Sequence, residues 1–338
     1  MCECFRNFQI VEPAKLSICN QRGEFATPSI EAINLSKNYG TFAALSELNL
    51  KINGSKCVGF LGPNGAGKTT TLKIFTNLIK PSRGTALING VSVAENKRKA
   101  LIHCGALIES PEIYPSLTPR EVLSIVAKLK GIPRGSRSSA IKEAVEEVKM
   151  EDWIDKRVGK FSKGMRQRIN LASVLLSRPE IVLLDEPTSG LDPRGMAEVR
   201  DMIRSLKQRN RLIFMSSHLL SEVSEVCDEV AMIDHGKLLV YDTLQKVTER
   251  FSQSGKVTIE VGFSRPIEDS SLREIENVPG VISIRRMDSS NASVTLEHGN
   301  DHRERLLSYL ESKKMGVNNF KQTSALEDTY LNLIKDAK

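Results

Sequence analysis

The chain has 338 residues, of which 40% are hydrophobic and 26% are charged, with a formal net charge of +7. The length fits one large domain or two unequal ones, and no apolar run approaches the roughly 20 residues of a membrane helix, which excludes a membrane-spanning segment. A basic protein is suited to a nucleotide, a nucleic acid or an anionic lipid surface, and the charge alone leaves these three open.

Residues 1–28 lack hydrophobic periodicity and predict a flexible N-terminal tail without the apolar segment of a signal peptide. The six cysteines lack CxxC spacing, which favours reduced thiols in the cytosol over a disulfide framework. A metal site built from Cys2, Cys4 and Cys19 is the alternative.

The first half of the chain predicts strands followed by helices. From "SIEAINLSKNY" to "LSELNLKING" the sequence alternates as strands do, with Gly40 and Gly54 at turns, and "CVGFL" predicts a buried strand. A helical insert is expected at about 115–160. Its first helix, in "TPREVLSIVAKLKG", has Thr118 as N-cap and Gly131 at its end, and "SSAIKEAVEEVKM" predicts a second.

The sequence after the insert alternates between helices and strands. "SKGMRQRINLASVLLSRP" places Met165, Ile169, Ala172 and Leu176 on one helix face. "IVLLD", "RLIFMSS" and "VAMID" are apolar runs separated by helix-like stretches, which predicts an α/β core with a parallel sheet covered by helices. That core is expected to end near Asp242.

Residues 255–338 differ in character. Their pattern predicts strand, helix, strand, strand, helix and strand, with a last helix from Ser324. This order is that of the split βαβ, ferredoxin-like motif, so we expect a small C-terminal α+β accessory domain. It contains no set of ligand-binding residues, which favours a docking or regulatory role.

The stretch "GPNGAGKTT" fits the phosphate-binding pattern G-x-x-x-x-G-K-[ST] after a predicted strand. Glycines are required there because backbone N–H groups must surround phosphate oxygens, where a Cβ would block the approach. In this pattern the lysine reaches the β- and γ-phosphates and the Thr hydroxyl holds Mg²⁺. The predicted nucleotide-binding residues of this loop are Gly62, Pro63, Asn64, Gly65, Ala66, Gly67, Lys68, Thr69 and Thr70.

Two acids follow the apolar run of "IVLLDEP", at the strand end where open α/β sheets place ligands. Asp185 is predicted to bind Mg²⁺ through water, and Glu186 to orient or deprotonate an attacking water. His218, in "FMSSHLL", follows another strand at the same edge and is expected to contact the γ-phosphate.

Together these residues resemble an ATP-binding cassette, the ATPase of ABC transporters, over about residues 30–245; the ATPase domain is assigned to 29–245. The resemblance implies ATP and Mg²⁺ as ligands. It implies that Tyr39 stacks on adenine, that 62–70 is the Walker A loop, and that Asp185 and Glu186 are the Walker B pair. "SGLD", ending at Asp192, is then the D-loop, and His218 the switch histidine.

The stretch "FSKGMRQRI" occupies the place of the family signature LSGGQ. In this family two cassettes bind head to tail, and the signature of one covers the γ-phosphate of ATP held by the other. Ser162 would supply a hydroxyl and Gly164 a close backbone N–H at a helix start. Lys163 replaces a Gly of the signature, and Met165 replaces its Gln.

The Q-loop is a second departure from the family pattern. Alignment on Pro111, Tyr114, Pro115 and Thr118 of "ESPEIYPSLT" places Glu109 where most cassettes have Gln. A carboxylate there could orient water or approach Mg²⁺, and it adds negative charge beside a polyphosphate.

The resemblance implies the ATPase subunit of an exporter of antibiotics, peptides, lipids or glycans at the cytoplasmic face of the membrane. Its partners would be an integral membrane permease and a second cassette, either another copy or a different chain. A soluble cassette ATPase acting on ribosomes or DNA is the alternative. The single phosphate-binding loop and the absence of a heptad run argue against it, so no nucleic-acid partner is expected. A catalytically dead module would have lost Lys68 or Glu186.

Overall fold

The computed structural model describes residues 27–109, 112–247, 256–297 and 300–322. The predicted N-terminal tail, apart from residues 27 and 28, lies outside these ranges. So do Cys2, Cys4 and Cys19 and the last helix predicted from Ser324, and these predictions stay open.

The part of the chain up to residue 243 contains ten strands and seven α-helices within the described residues. The strands are β1 Ser29–Tyr39, β2 Phe42–Asn53, β3 Cys57–Leu61, β4 Arg83–Ile88, β5 Val91–Ser92, β6 Cys104–Leu107, β7 Ile181–Asp185, β8 Leu212–Ser217, β9 Glu229–Asp234 and β10 Lys237–Thr243. The helices are α1 Lys68–Phe75, α2 Lys97–Leu101, α3 Pro119–Leu129, α4 Arg137–Glu147, α5 Lys163–Leu175, α6 Pro193–Lys207 and α7 Leu220–Val226.

These strands form two sheets. The first is antiparallel, with the order β2-β1-β4-β5. The second has the order β10-β9-β3-β8-β7-β6 and is parallel except for β10, which pairs antiparallel with β9 at one edge. The predicted α/β architecture is confirmed, and β4, β5 and β6 with helix α2 are elements that the sequence patterns did not identify.

The parallel sheet is buried on both faces. In β7, Val182 and Leu184 belong to one apolar core, whereas Ile181 and Leu183 belong to another. Successive side chains of a strand point to opposite faces, so the continuous apolar run "IVLL" supplies both cores at once. One core is formed with helices α3 to α7 and the other with α1 and the antiparallel sheet.

Helices occupy the predicted insert. α3 has Thr118 as its N-cap with a complete capping box to Glu121, and Pro119 opens the helix. Gly131 follows its end with a φ of +73°, a left-handed conformation that favours glycine at a helix C-terminus. α4 and three 3-10 turns (Arg134–Ser136, Glu151–Trp153 and Val158–Lys160) complete the segment. The two predicted helices are confirmed.

A third sheet follows in the C-terminal part. Its elements are β11 Lys256–Phe263, α8 Asp269–Glu276, β12 Val281–Arg286, β13 Asn291–Glu297, α9 Asn300–Ser312 and β14 Val317–Gln322. The strand order β12-β13-β11-β14, antiparallel throughout, is that of the split βαβ motif. It has an apolar core of its own, which includes Ile259, Val294 and Leu306. The domain boundaries at 29–245 and 255–338 stay predictions.

Across the described ranges, no helix combines the length and apolar character that crossing a membrane would require.

A buried ion pair ties the helical insert to the parallel sheet. Glu147, at the end of α4, accepts from Arg211, just before β8, at 2.6 and 3.2 Å. The two side chains are only 6% and 8% exposed, and Arg209 also approaches Glu147 at 3.1 Å. A bidentate pair of this kind is charge-matched, so removing one partner leaves the other charge buried alone.

Replacing Glu147 with Gln is therefore expected to lower the free energy of unfolding by about 3 kcal/mol. Urea denaturation can be followed through the chain's single tryptophan, Trp153, which lies in the insert. Glu143→Gln is the matched control on the same helix, because Glu143 and its partner Arg178 are 42% and 49% exposed and such pairs contribute at most about 1 kcal/mol. Equal losses in the two variants would contradict the role given to Glu147.

Candidate functional site

The candidate site lies at the carboxyl ends of three neighbouring parallel strands. β3 leads into Gly62, β7 ends at Asp185, and β8 ends in Ser216 and Ser217. Asp185 is in register with Ser216. The sheet topology thus gathers residues that are far apart in sequence at one edge, which is where open α/β sheets bind ligands.

The glycine loop between β3 and α1 is shaped by close backbone contacts. Gly67 has a φ of +104°, and a Cβ on it would lie 2.6 Å from the carbonyl oxygen of Ala44. α1 then begins at Lys68 with no side chain capping it. The first N–H groups of a helix have no partner within the helix and attract anions, so this end of α1 can receive a phosphate.

Lys68 is a buried cation at the centre of the site. Only 5% of it is exposed, and its ammonium donates to the carbonyl oxygens of Gly62 at 2.8 Å and Pro63 at 3.0 Å. Its Nζ lies 3.7 Å from Oε1 of Glu186. Burial lowers the pKa of Lys68, and the charges of Glu186 and Asp185 oppose that shift. A buried cation of this kind is suited to an anionic ligand.

Asp185 gathers two hydroxyl groups. Its Oδ1 accepts from Thr69 Oγ1 at 3.1 Å and from Ser216 Oγ at 2.6 Å. Carboxylate and hydroxyl oxygens are hard ligands that fit Mg²⁺, which usually takes its other ligands from water and substrate phosphates. The described residues contain no cluster of three or more His, Cys, Asp or Glu able to hold a metal by themselves. Thr69 and Asp185 could therefore hold Mg²⁺ together with a phosphate ligand.

Glu186 is held in an uncommon conformation. Its φ is +43°, in the left-handed region that non-glycine residues seldom adopt. Its N–H donates to Ser216 Oγ at 2.9 Å, and its Oε1 lies 3.2 Å from Nδ1 of His218. The carboxylate is thus fixed between a lysine and a histidine at the strand edge.

Two other predicted ligands, Tyr39 and Glu109, are far more exposed than Lys68. Tyr39 ends β1 and is 49% exposed, with its ring 5.1 Å from Nζ of Lys37. Glu109, whose side chain is 70% exposed, contacts Lys73 at 2.6 Å, and this hydrogen bond raises the pKa of Lys73. The structure thus joins Thr69 directly to Asp185, whereas the described partner of Glu109 is a lysine.

The predicted signature and D-loop residues form a second group. Ser162 caps α5 by accepting from the N–H of Met165 at 3.2 Å, and Asp192 caps α6 by accepting from Gly195 at 3.2 Å. A Cβ on Gly164 would lie 3.3 Å from Cα of Gly195, so the two helix starts pack closely. Within the described ranges, no hydrogen bond or ion pair connects Ser162 or Gly164 to the loop 62–70.

Ser216, Thr188, Lys73 and Glu222 are residues that the sequence patterns did not single out. Ser216 bridges Asp185 and the backbone of Glu186, whereas Thr188, in the loop that follows Glu186, donates a hydrogen bond to Glu222. The signal for Ser216 was present in the sequence: it comes two residues before His218, at the end of an apolar strand. The other three become visible only through tertiary contacts.

Replacing Gly67 with Ala is expected to lower the free energy of unfolding by about 3 kcal/mol, since the strained φ costs about 1–2 kcal/mol and the contact with Ala44 adds to it. Gly90→Ala is the control, because Gly90 has a φ of +71° with nothing within 4 Å of its ideal Cβ. Chemical denaturation of both variants measures the difference. A loss at Gly67 no larger than that at Gly90 would argue against the close contact.

Known proteins share the sequence of this region. The model of a family described as ABC transporter matches residues 45–189. A bacitracin transport ATP-binding protein of Bacillus licheniformis is 44% identical over 226 residues, which cover 66% of this chain and 73% of the relative. Its counterpart from Enterococcus faecalis is 33% identical over 301 residues, covering 85% and 96%. A lantibiotic transport ATP-binding protein of Streptococcus pyogenes is 37% identical over 223 residues, covering 65% and 94%.

Solved structures share the fold. The ATP-binding subunit of an ABC transporter superposes with a TM-score of 0.59 at 27% identity, over 67% of this chain and 94% of that one. A nucleotide-free ATP-binding cassette of an ABC transporter, at 18% identity, has a TM-score of 0.60 over 67% and 95%.

Proposed function

Because this chain belongs to the ABC transporter family, as an ATP-binding subunit that hydrolyses ATP, we propose that it drives the export of a peptide antibiotic through a separate membrane permease. The observation that carries the proposal is the convergence of Lys68, Asp185 and Glu186 at one edge of the parallel sheet. The cargo class is supported by the relatives, which are named for bacitracin and lantibiotic transport.

We infer that the phosphates of ATP occupy the glycine loop 62–70 and the start of α1. Lys68 would exchange its contacts with two backbone carbonyl oxygens for phosphate oxygens, a gain in charge matching that offsets its burial. Tyr39, exposed at the end of β1, offers an aromatic face for adenine.

Thr69 and Asp185 would hold Mg²⁺, which neutralises charge on the transferred phosphoryl group when bound. The hydroxyl of Ser216 orients Asp185 and also accepts the N–H of Glu186. It thereby fixes the metal-binding carboxylate relative to the catalytic one. Glu109 would reach this centre only by leaving Lys73, so its part in metal binding stays a prediction.

Glu186 would take the proton of the water that attacks the γ-phosphorus, as that water's oxygen bonds to phosphorus and the bond to the ADP oxygen breaks. His218 lies 3.2 Å from the carboxylate and would hold it toward the water. The products are ADP and phosphate, and the proton leaves through Glu186.

Two cassettes are proposed to act together. In the described ranges, Ser162 and Gly164 make no hydrogen bond or ion pair to the loop 62–70 of their own chain, and the helix start at which they lie favours an anion. In a head-to-tail pair each signature segment would cover ATP on the opposite chain. We propose that Asp192 and its neighbours line that interface.

The protein is proposed to act at the cytoplasmic face of the membrane, bound to its permease. Two observations support this role over that of a soluble ATPase on ribosomes or DNA: the sequence has a single phosphate-binding loop, 62–70, and it is similar to the sequences of transporter subunits.

Glu186→Gln is expected to lower ATP turnover by about 100-fold or more, because it removes the general base. It should leave ATP affinity within about threefold of wild type, since the phosphate-binding loop and Lys68 are kept. Steady-state phosphate release and equilibrium nucleotide binding measure the two effects. Turnover at the wild-type rate would refute the role of Glu186.

The transport role is tested by affinity capture of the tagged protein from detergent-solubilised membranes of its own cells, with mass spectrometry of the co-eluting proteins. A multi-span membrane protein in stoichiometric amount is the expected partner. Recovery of ribosomal proteins or nucleic acid instead, with the protein absent from membranes, would overturn the proposal.

A further inference from the structure

A buried carboxylate contacts the residues that follow β7 and end β8. Glu222, on α7, is 4% exposed. In the part of the chain that the structure describes, no Lys, Arg or His is within ion-pair distance of it. A carboxylate without a counter-ion is expensive to bury, so its environment must supply hydrogen bonds to both oxygens.

Two hydroxyl groups supply those bonds. Oε1 of Glu222 accepts a short hydrogen bond from Thr188 Oγ1, and Oε2 accepts from Ser217 Oγ at 2.7 Å. Thr188 is 1% and Ser217 also 1% exposed, so water cannot replace either donor without a rearrangement. Glu222 therefore connects the loop that follows Glu186 to the end of β8 through two buried contacts, although Thr188 and Ser217 are 29 residues apart in sequence.

Thr188 and Ser217 lie close in sequence to the two residues proposed to be catalytic, Glu186 and His218. Thr188 comes two residues after Glu186, in the loop that continues to Asp192, and Ser217 immediately precedes His218. Ser217 Oγ also accepts from the N–H of Leu219 at 2.9 Å, so the backbone is held on both sides of His218. Nδ1 of His218 and Oε1 of Glu186 are 3.2 Å apart.

We propose that Glu222 is a positioning residue that holds His218 in register with Glu186 and links both to the loop 187–192. This inference rests on the proposed ATPase mechanism and adds a component to it. Movement of the loop 187–192, when a second cassette docks, is then transmitted through Thr188 and Glu222 to the backbone that carries His218. Glu222 touches neither ATP nor the attacking water.

The test measures kcat and KM for ATP, together with thermal stability, in variants of the full chain. Glu222→Gln and Thr188→Val should each lower kcat about tenfold or more, because small displacements of catalytic groups are costly. KM should change less than about threefold, since the phosphate-binding loop is untouched. Thr188→Ser keeps the hydroxyl and should restore at least about half of wild-type kcat.

The double variant Glu222→Gln/Thr188→Val separates positioning from independent damage. Because both changes break one contact, the double variant should be no more than about twofold slower than the slower single variant. If the reductions in kcat of the two single variants multiply in the double variant, the proposed link through Thr188 and Glu222 is refuted.

Glu225→Gln is the matched control on the same helix. Glu225 is at the surface and pairs with Arg200 and Arg204 at 2.8 and 3.3 Å, and its replacement should leave kcat within about twofold of wild type. A similar fall in the kcat of Glu225→Gln would overturn the proposal. So would a fall in the kcat of Glu222→Gln that is accompanied by a raised KM and a lower thermal stability, because that combination indicates a purely structural role.

The same experiment distinguishes failure of the proposed ATPase mechanism from failure of the positioning role alone. If the wild-type protein does not hydrolyse ATP, the proposed mechanism fails as a whole. If wild type is active and both Glu222→Gln and Thr188→Val keep kcat within about twofold, only the positioning role fails. Should Glu222→Gln not fold, Ser217→Ala tests the other half of the contact, and an unchanged kcat in Ser217→Ala and Thr188→Val overturns it equally.

Discussion

A buried lysine ammonium is the constraint on which the rest of the site depends. Lys68 has too little exposure to be solvated, and its described partners are two carbonyl oxygens and a carboxylate 3.7 Å away. Its burial lowers its pKa, which marks a charge that the protein only partly compensates. Phosphate oxygens would complete the compensation, and Asp185 and Glu186 must then sit close enough to act on the same ligand.

The fold meets this constraint by burying the parallel sheet on both faces. Strands β3, β7 and β8 are neighbours, so their ends deliver the glycine loop, two acids and a histidine to one edge. Ser216 connects β8 to β7 through its hydrogen bond to Asp185, and Glu222 connects the loop after β7 to the end of β8. The helical insert is joined to the same sheet by the pair of Glu147 and Arg211. This pair joins the insert to the start of β8, the strand whose other end carries Ser216 and Ser217.

Most of the architecture could be predicted from the sequence, because apolar runs such as "IVLLD" and the glycine loop have strong local signals. The C-terminal βαββαβ order could also be predicted, from the succession of strand-like and helix-like segments in residues 255–338. The short elements between residues 83 and 107 were not, since they have weak periodicity and form through pairing with β1 and β7. Lys68, Asp185 and Glu186 converge as predicted, but the contact of Glu109 with Lys73 and the bonds of Glu222 depend on tertiary packing that no local pattern encodes.

Thermal unfolding of the wild-type and Lys68→Ala proteins, with and without Mg²⁺ and ATP, tests most directly whether this edge of the sheet binds nucleotide. At a ligand concentration of about 100 times Kd, binding to the folded state alone adds about 2.7 kcal/mol of stability. Wild type is predicted to be stabilised by about that amount and Lys68→Ala by far less. Equal stabilisation of the two proteins, or none in wild type, would contradict the assignment of this site to ATP.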